Sequence, residues 1–141
     1  MPAPTITRQR QLDELCERLR GAPEIAFDTE FVSEDTYYPE LCLIQVATRD
    51  EMAVVDPQEV DVAEFWQVLA DGEHVSVFHA GREELNFQLR AVGSPPKKLF
   101  DVQLAAAFCG HEYPASYGSV VGRILGGKPM KGEQRTDWRR R

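Results

Sequence analysis

Glu24-Ile25-Ala26-Phe27-Asp28-Thr29-Glu30-Phe31 decides how the rest of the chain is read. The apolar run ending at Phe27 reads as a buried strand over about residues 24–30. Side chains alternate across a strand, so Asp28 and Glu30 share a face. Two carboxylates side by side at the end of an apolar strand repel each other, and their removal from water is costly. Hard divalent cations such as Mg²⁺ relieve both costs, because they prefer carboxylate oxygens. The competing reading is that the pair only opens a solvated loop.

The pattern outward from this strand is that of a mixed α/β domain. Leu12, Leu15, Cys16 and Leu19 recur at helical spacing and predict a helix over 8–20, ended by Gly21 and Pro23. After the first strand, residues 41–47 and 52–55 read as two strands joined by the turn Thr48-Arg49-Asp50-Glu51. Val62, Phe65, Trp66 and Leu69 mark a helix, residues 74–78 a fourth strand, and residues 81–91 a helix with Leu85 and Leu89 inward. Leu99-Phe100 makes a short fifth strand. A helix follows from Val102, and a last one covers 116–125. A meander followed by strands alternating with helices predicts a mixed five-stranded sheet with helices on both faces. That is the plan of a ribonuclease-H-like fold, although other α/β folds share it.

The 141 residues, 43% of them apolar, suit one globular domain over 1–141. No run approaches the roughly 20 apolar residues of a membrane span. Met1-Pro2-Ala3-Pro4-Thr5 lacks the features of a signal peptide, which predicts a cytoplasmic protein with no membrane partner. Cys16, Cys42 and Cys109 fit neither a disulfide framework nor a CxxC metal site, and are expected to be reduced and mostly buried. The net charge of −7 argues against nucleic acid, but its distribution does not. Residues 126–141 hold six cations against two acids, a net +4, leaving −11 for residues 1–125. A basic tail beside a metal-charged cleft suits phosphates; a solvated terminus is the alternative.

Another acidic cluster, His79-Ala80-Gly81-Arg82-Glu83-Glu84-Leu85, begins where strand four ends. Sites in open α/β sheets gather at strand ends. If strands one and four are neighbours, Glu84 faces Asp28 and Glu30.

Ile25-Ala26-Phe27-Asp28-Thr29-Glu30-Phe31, followed by Thr36-Tyr37-Tyr38-Pro39-Glu40-Leu41-Cys42-Leu43-Ile44-Gln45, resembles the first exonuclease motif of the ribonuclease D family of DEDD-type 3′→5′ exonucleases. Val77 to Leu85 is similar to the second motif. Leu99 to Phe108 and Lys131-Gly132-Glu133-Gln134-Arg135-Thr136-Asp137-Trp138 are similar to later segments. The resemblance runs from about Ile6 to the last residue. It implies two divalent cations, Mg²⁺ or Mn²⁺, held by four acidic side chains on the scissile phosphate of an RNA 3′ end, and release of nucleoside monophosphates. Asp28 and Glu30 match the first two acids.

The chain departs from the family pattern twice. The third acid, an aspartate in the family, falls on Glu84; Glu83 is the alternative, and a solvated helix residue the other. The tyrosine and final aspartate of the third motif are not in this sequence, so the domain is expected to lack its last helix and to be weakly active or inactive. It is then either a fragment or a degenerate form. Loss of that helix also predicts exposed apolar surface and self-association.

Phe31 and His79 are candidate substrate contacts, by stacking on a terminal base and by lying at a strand end. A core role for Phe31 and a buried, hydrogen-bonded role for His79 stand against these. Gln45 is expected to be structural, and Tyr37, Tyr38 and Pro39 to form a loop bordering the cleft. Trp138 either contacts RNA or closes the core. Three function classes remain: a 3′→5′ exoribonuclease, a pseudo-exonuclease that binds nucleic acid without cutting, and a DNA exonuclease of the same superfamily.

Overall fold

The computed structural model describes residues 3–127 and 138–139. Lys131–Asp137 of the family-like stretch and every cation of the basic tail except Arg139 lie outside the described residues. In chain order the elements are β1 (Thr5–Ile6), α1 (Gln9–Leu19), β2 (Glu24–Val32), β3 (Glu40–Ala47), β4 (Met52–Val55) and α2 (Ala63–Asp71). They continue with β5 (Val75–Phe78), α3 (Arg82–Val92), β6 (Leu99–Asp101), α4 (Val102–Phe108) and α5 (Tyr117–Leu125).

The strands form one mixed sheet in the order β1-β4-β3-β2-β5-β6. The meander β2-β3-β4 is antiparallel, and β1, β5 and β6 join it in parallel. Among the described residues the sheet therefore has six strands rather than five. The extra strand, β1, is two residues long and pairs Thr5 with Val54 and Ile6 with Val55. A two-residue strand carries no alternation, so only its neighbour reveals it.

Period-two patterning sorts the sheet into two faces. Ile25 and Phe27 of β2, Ile44 and Val46 of β3, Ala53 and Val55 of β4, and Phe78 of β5 are buried in one core with the inner sides of α1 and α2. Phe27 is its centre. Its ring meets Phe65, Trp66 and Phe78 edge to face at 6.3, 6.1 and 5.9 Å. Burying a ring of this size contributes roughly 2–3 kcal/mol. On the other face a row of register partners, Met52, Ala47, Ala26, Val77 and Phe100, crosses the sheet. Both ends of that row are open, with Met52 60% and Phe100 49% exposed.

One helix faces inward differently from its predicted pattern. In α3 the buried residues are Glu84, Phe87 and Gln88, whereas Leu89 is 44% exposed. Leu85 packs against the core as expected, but an inward acid one turn before an inward amide is not an apolar stripe, so hydrophobic spacing missed the rest of the buried face. Cys16 and Cys42 are buried, but Cys109 is exposed. Burial pushes the Cys16 thiol up to about 11, with Glu64 adding to the effect. Gln45 is exposed, opposite Asp28.

Candidate active site

The site exists because β2 is longer than its parallel neighbour. β2 runs for nine residues and β5 for four, and their pairing ends at Ala26↔Val77. Beyond that point, among the described residues, β2 continues beside β3 alone, with Asp28↔Gln45 and Glu30↔Leu43. A register shift between Glu30 and Phe31 leaves Cys42 as an extra residue on β3. Bulges of this kind are frequent beside active sites, where they re-aim side chains. The turn from β5 into α3 fills the gap left by the shorter strand and brings α3 to the overhang.

That turn is tightly specified. Ala80 takes a left-handed conformation, φ 54°, and Gly81 precedes the helix. A Cβ on Gly81 would sit 2.0 Å from the Phe78 ring, so no side chain fits there. Asp101 holds the turn from outside. Its carboxylate accepts from the backbone N–H groups of Ala80 (3.1 Å) and Gly81 (3.0 Å). It also caps α4 by accepting from Gln103 (2.9 Å) and Leu104 (3.4 Å). Partial burial opposes ionisation of Asp101, but these N–H donors outweigh it and keep its pKa below the ordinary value. Sequence reading gave Asp101 no role; a cap residue before a helix was its one local signal.

Asp28 and Glu30 stand on the open face as their spacing requires. Asp28 reaches water and Glu30 is half-buried. Crowding by surrounding protein raises the pKa of Asp28 against the pull of a Thr29 backbone hydrogen bond and of His79. Glu30 is raised by desolvation first, then by repulsion from Asp28 and Glu84, while a hydrogen bond from Trp138 opposes the shift. Like charges held in one place in this way are a common signature of functional sites.

Glu84 is present but turned. It is 5% exposed, and its Oε1 accepts a 2.6 Å hydrogen bond from Thr29 Oγ1. Thr29 lies between Asp28 and Glu30 in sequence and points to the opposite face of the strand. Glu84 thus reaches β2 from the helix side. Burial raises its pKa, and Asp28 adds to this against the Thr29 bond. Glu83 is half-buried, and its carboxylate accepts from Asn86 at 3.3 Å.

Phe31 packs its ring on Phe87, 5.6 Å between centroids, and borders the core. His79 is half-buried, with its ring edge to face with Tyr117 at 5.7 Å. Its Nε2 is buried without a hydrogen-bond partner among the described residues, so at that nitrogen it is not the hydrogen-bonded histidine expected. Tyr37 and Tyr38 lie exposed on the loop after β2, with the Arg90 guanidinium 5.2 Å from the Tyr38 ring. Trp138, left open by sequence, lies at Glu30.

The donor set suits a hard cation at Asp28 and Glu30, whose mutual repulsion a positive ion removes. Among the described residues no three His, Cys, Asp or Glu side chains converge as a ready metal cage, because Glu84 is drawn to Thr29. A surface pocket of about 190 Å³ lined by Arg20, Gln67, Val68, Asp71 and Gly72 lies away from these carboxylates. Its charged groups are already paired, Arg20 with Glu17 and Glu64, and Asp71 with Gln67.

A family of 3′-5′ exonucleases matches residues 4–141, nearly the whole chain. Ribonuclease D of Sphingobium indicum is 40% identical over 141 residues, and that of Escherichia coli K12 is 40% identical over 134. The chain belongs to the ribonuclease D family of 3′-5′ exonucleases. The crystal structure of Escherichia coli RNase D, described as an exoribonuclease involved in structured RNA processing, superposes with a TM-score of 0.89 at 40% identity. The alignment covers 98% of this chain and 37% of that one. The catalytic core of RRP6 from Trypanosoma brucei gives a TM-score of 0.84 at 27% identity, covering 98% of this chain and 39% of that one. The ribonuclease-H-like plan expected from the strand order is thus the plan of this family. The chain covers 98% of itself but only 36% of the Sphingobium ribonuclease D, so it spans about a third of that relative's length. No helix among the described residues is long and apolar enough to cross a membrane.

Proposed function

We propose that this chain is the carboxylate-bearing part of a 3′→5′ exoribonuclease that trims single-stranded 3′ ends of structured RNA. One observation carries the reading. Asp28 and Glu30 project from the overhang of β2 onto one face, with raised pKa values, and α3 brings Glu84 to the strand between them. Family membership and the RNA-processing description of the Escherichia coli relative support RNA over DNA.

Asp28 and Glu30 would hold Mg²⁺ or Mn²⁺, and Glu84 would join them after leaving Thr29. When bound, the cations neutralise the phosphate and stabilise charge on the attacking and leaving oxygens. Phe31 and His79 border the same end of β2, the first as a half-exposed ring and the second with its ring near Asp28. On this reading they would contact the terminal nucleotide. The exposed apolar row on the carboxylate face favours self-association of the isolated chain.

The latch of Glu84 on Thr29 favours a second reading, in which the chain holds nucleic acid without cutting it. The test is cleavage of 5′-labelled single-stranded RNA, and of matching DNA, with Mn²⁺ by this chain and by Asp28→Ala. A ladder shortening from the RNA 3′ end, lost in the variant, is the expected result. RNA binding without any Asp28-dependent cleavage would instead establish the second reading, and faster cleavage of DNA would assign a DNA exonuclease.

A further inference from the structure

We propose that Trp138 is a positioning residue for Glu30, fixing its carboxylate for the cation it shares with Asp28. The inference rests on the cation-dependent reading of the site given above. The Trp138 side chain is hydrogen-bonded to the Glu30 carboxylate, and its Nε1–H is the one donor an indole has. The next residue, Arg139, pairs with Asp35 at 3.3 Å. Two consecutive residues from the far end of the chain therefore grip the end of β2 and the loop after it.

The physical need for such a grip is specific to Glu30. It is half-buried and repelled by both Asp28 and Glu84. Left alone, its long side chain lowers its energy by swinging towards water, away from Asp28. A donor on one carboxylate oxygen holds the group in place and leaves the lone pairs of the other oxygen for a cation. Lysine or arginine would also hold it, but would bring a positive charge that competes with the cation. An indole donates without charge. Outer hydrogen bonds of this type orient metal ligands, and their loss typically weakens metal affinity about 10–100-fold.

The experiment measures Mn²⁺ affinity of the whole chain from the loss of the free-ion electron paramagnetic resonance signal. It compares wild type, Trp138→Phe, Asp28→Ala, Glu30→Gln and the Trp138→Phe/Glu30→Gln double variant. Phenylalanine keeps the ring and removes the N–H. The expected result is a weakening of about 10–100-fold in Trp138→Phe, shrinking to less than about twofold when Glu30 is already glutamine, because residues acting through one another are not additive. An equal loss in both backgrounds would overturn the positioning role, since a general structural effect does not depend on Glu30. Unchanged affinity in Trp138→Phe, with affinity lost in Asp28→Ala, would overturn the inference and leave the proposed function standing. Equal Mn²⁺ binding by wild type and Asp28→Ala would overturn both.

Discussion

Thr29 and Glu84 are joined by a buried hydrogen bond of 2.6 Å across 55 residues of sequence. The bond ties α3 to the central carboxylate strand, and it also takes the third acid away from the other two. A shorter side chain at 84 would not span to Thr29 and would leave its carboxylate nearer the helix. Glu84→Asp is therefore expected to raise Mn²⁺-dependent cleavage about tenfold or more over wild type. It should lower stability by about 1 kcal/mol for the lost bond. Initial rates on labelled RNA and urea unfolding check the two halves separately. A variant no faster than wild type would mean that the latch does not limit the reaction.

The three raised carboxylates make the site a cost to the metal-free fold. Their native pKa values lie above the unfolded ones. Hence the penalty is absent well below about pH 4, where both states are protonated, grows as pH rises from the unfolded towards the native values, and is complete above them. Asp28→Asn should consequently raise the melting temperature at pH 7 without metal. Because Asp28 reaches water, screening keeps the gain to about 1 kcal/mol, or roughly 2–4 °C. Millimolar Mn²⁺ should raise the wild-type melting temperature and affect the variant less, since a ligand of the native state stabilises it. Scanning fluorimetry at pH 4 and pH 7 with and without Mn²⁺ tests all three statements.

Asp101 acts in the opposite sense. Its pKa is lowered in the fold, so its contribution is present above its unfolded value and is lost as pH falls through the native one. Asp101→Ala removes a helix cap and both bonds to the turn before α3. A loss of about 2–3 kcal/mol at pH 7 is expected, shrinking in acid. Equal losses at pH 7 and pH 3 would show that packing, not the ionised carboxylate, holds the turn.

How legible this molecule was follows from the range of each signal. The two acids of β2 were readable because alternation is local and places i and i+2 together whatever else the chain does. The same holds for the core of α1 and for the β3-β4 hairpin, where Thr48 Oγ1 accepts from the Asp50 and Glu51 amides. Glu84 was readable as a candidate from its place after a strand, but not its orientation, which depends on a hydroxyl 55 residues away. Asp101 and Trp138 act through partners 20 and more residues distant, and nothing beside them in sequence names those partners. Strand β1 escaped for the same reason, being defined only by β4.

The apolar row from Met52 to Phe100 predicts that the chain associates with itself. Sedimentation velocity at high micromolar concentration should show a dimer or larger species. The double variant Met52→Lys/Phe100→Lys should shift it towards monomer, with association weakened at least about tenfold through charge placed at both open ends. A wild-type monomer throughout that range would rule the idea out.

The overhang of β2 has one more consequence. Past Ala26 its backbone has β3 on one side and, among the described residues, no strand on the other, which makes a stretch in the middle of the sheet an edge. Open edges invite foreign strands to pair and so seed aggregation. Here a buried acid covers the approach, for Glu84 takes a hydrogen bond from the Thr29 hydroxyl. An incoming strand would have to displace a charged group from the hydrogen bond it needs. The carboxylate that crowds Asp28 and Glu30 thereby also guards the sheet against unwanted strand addition.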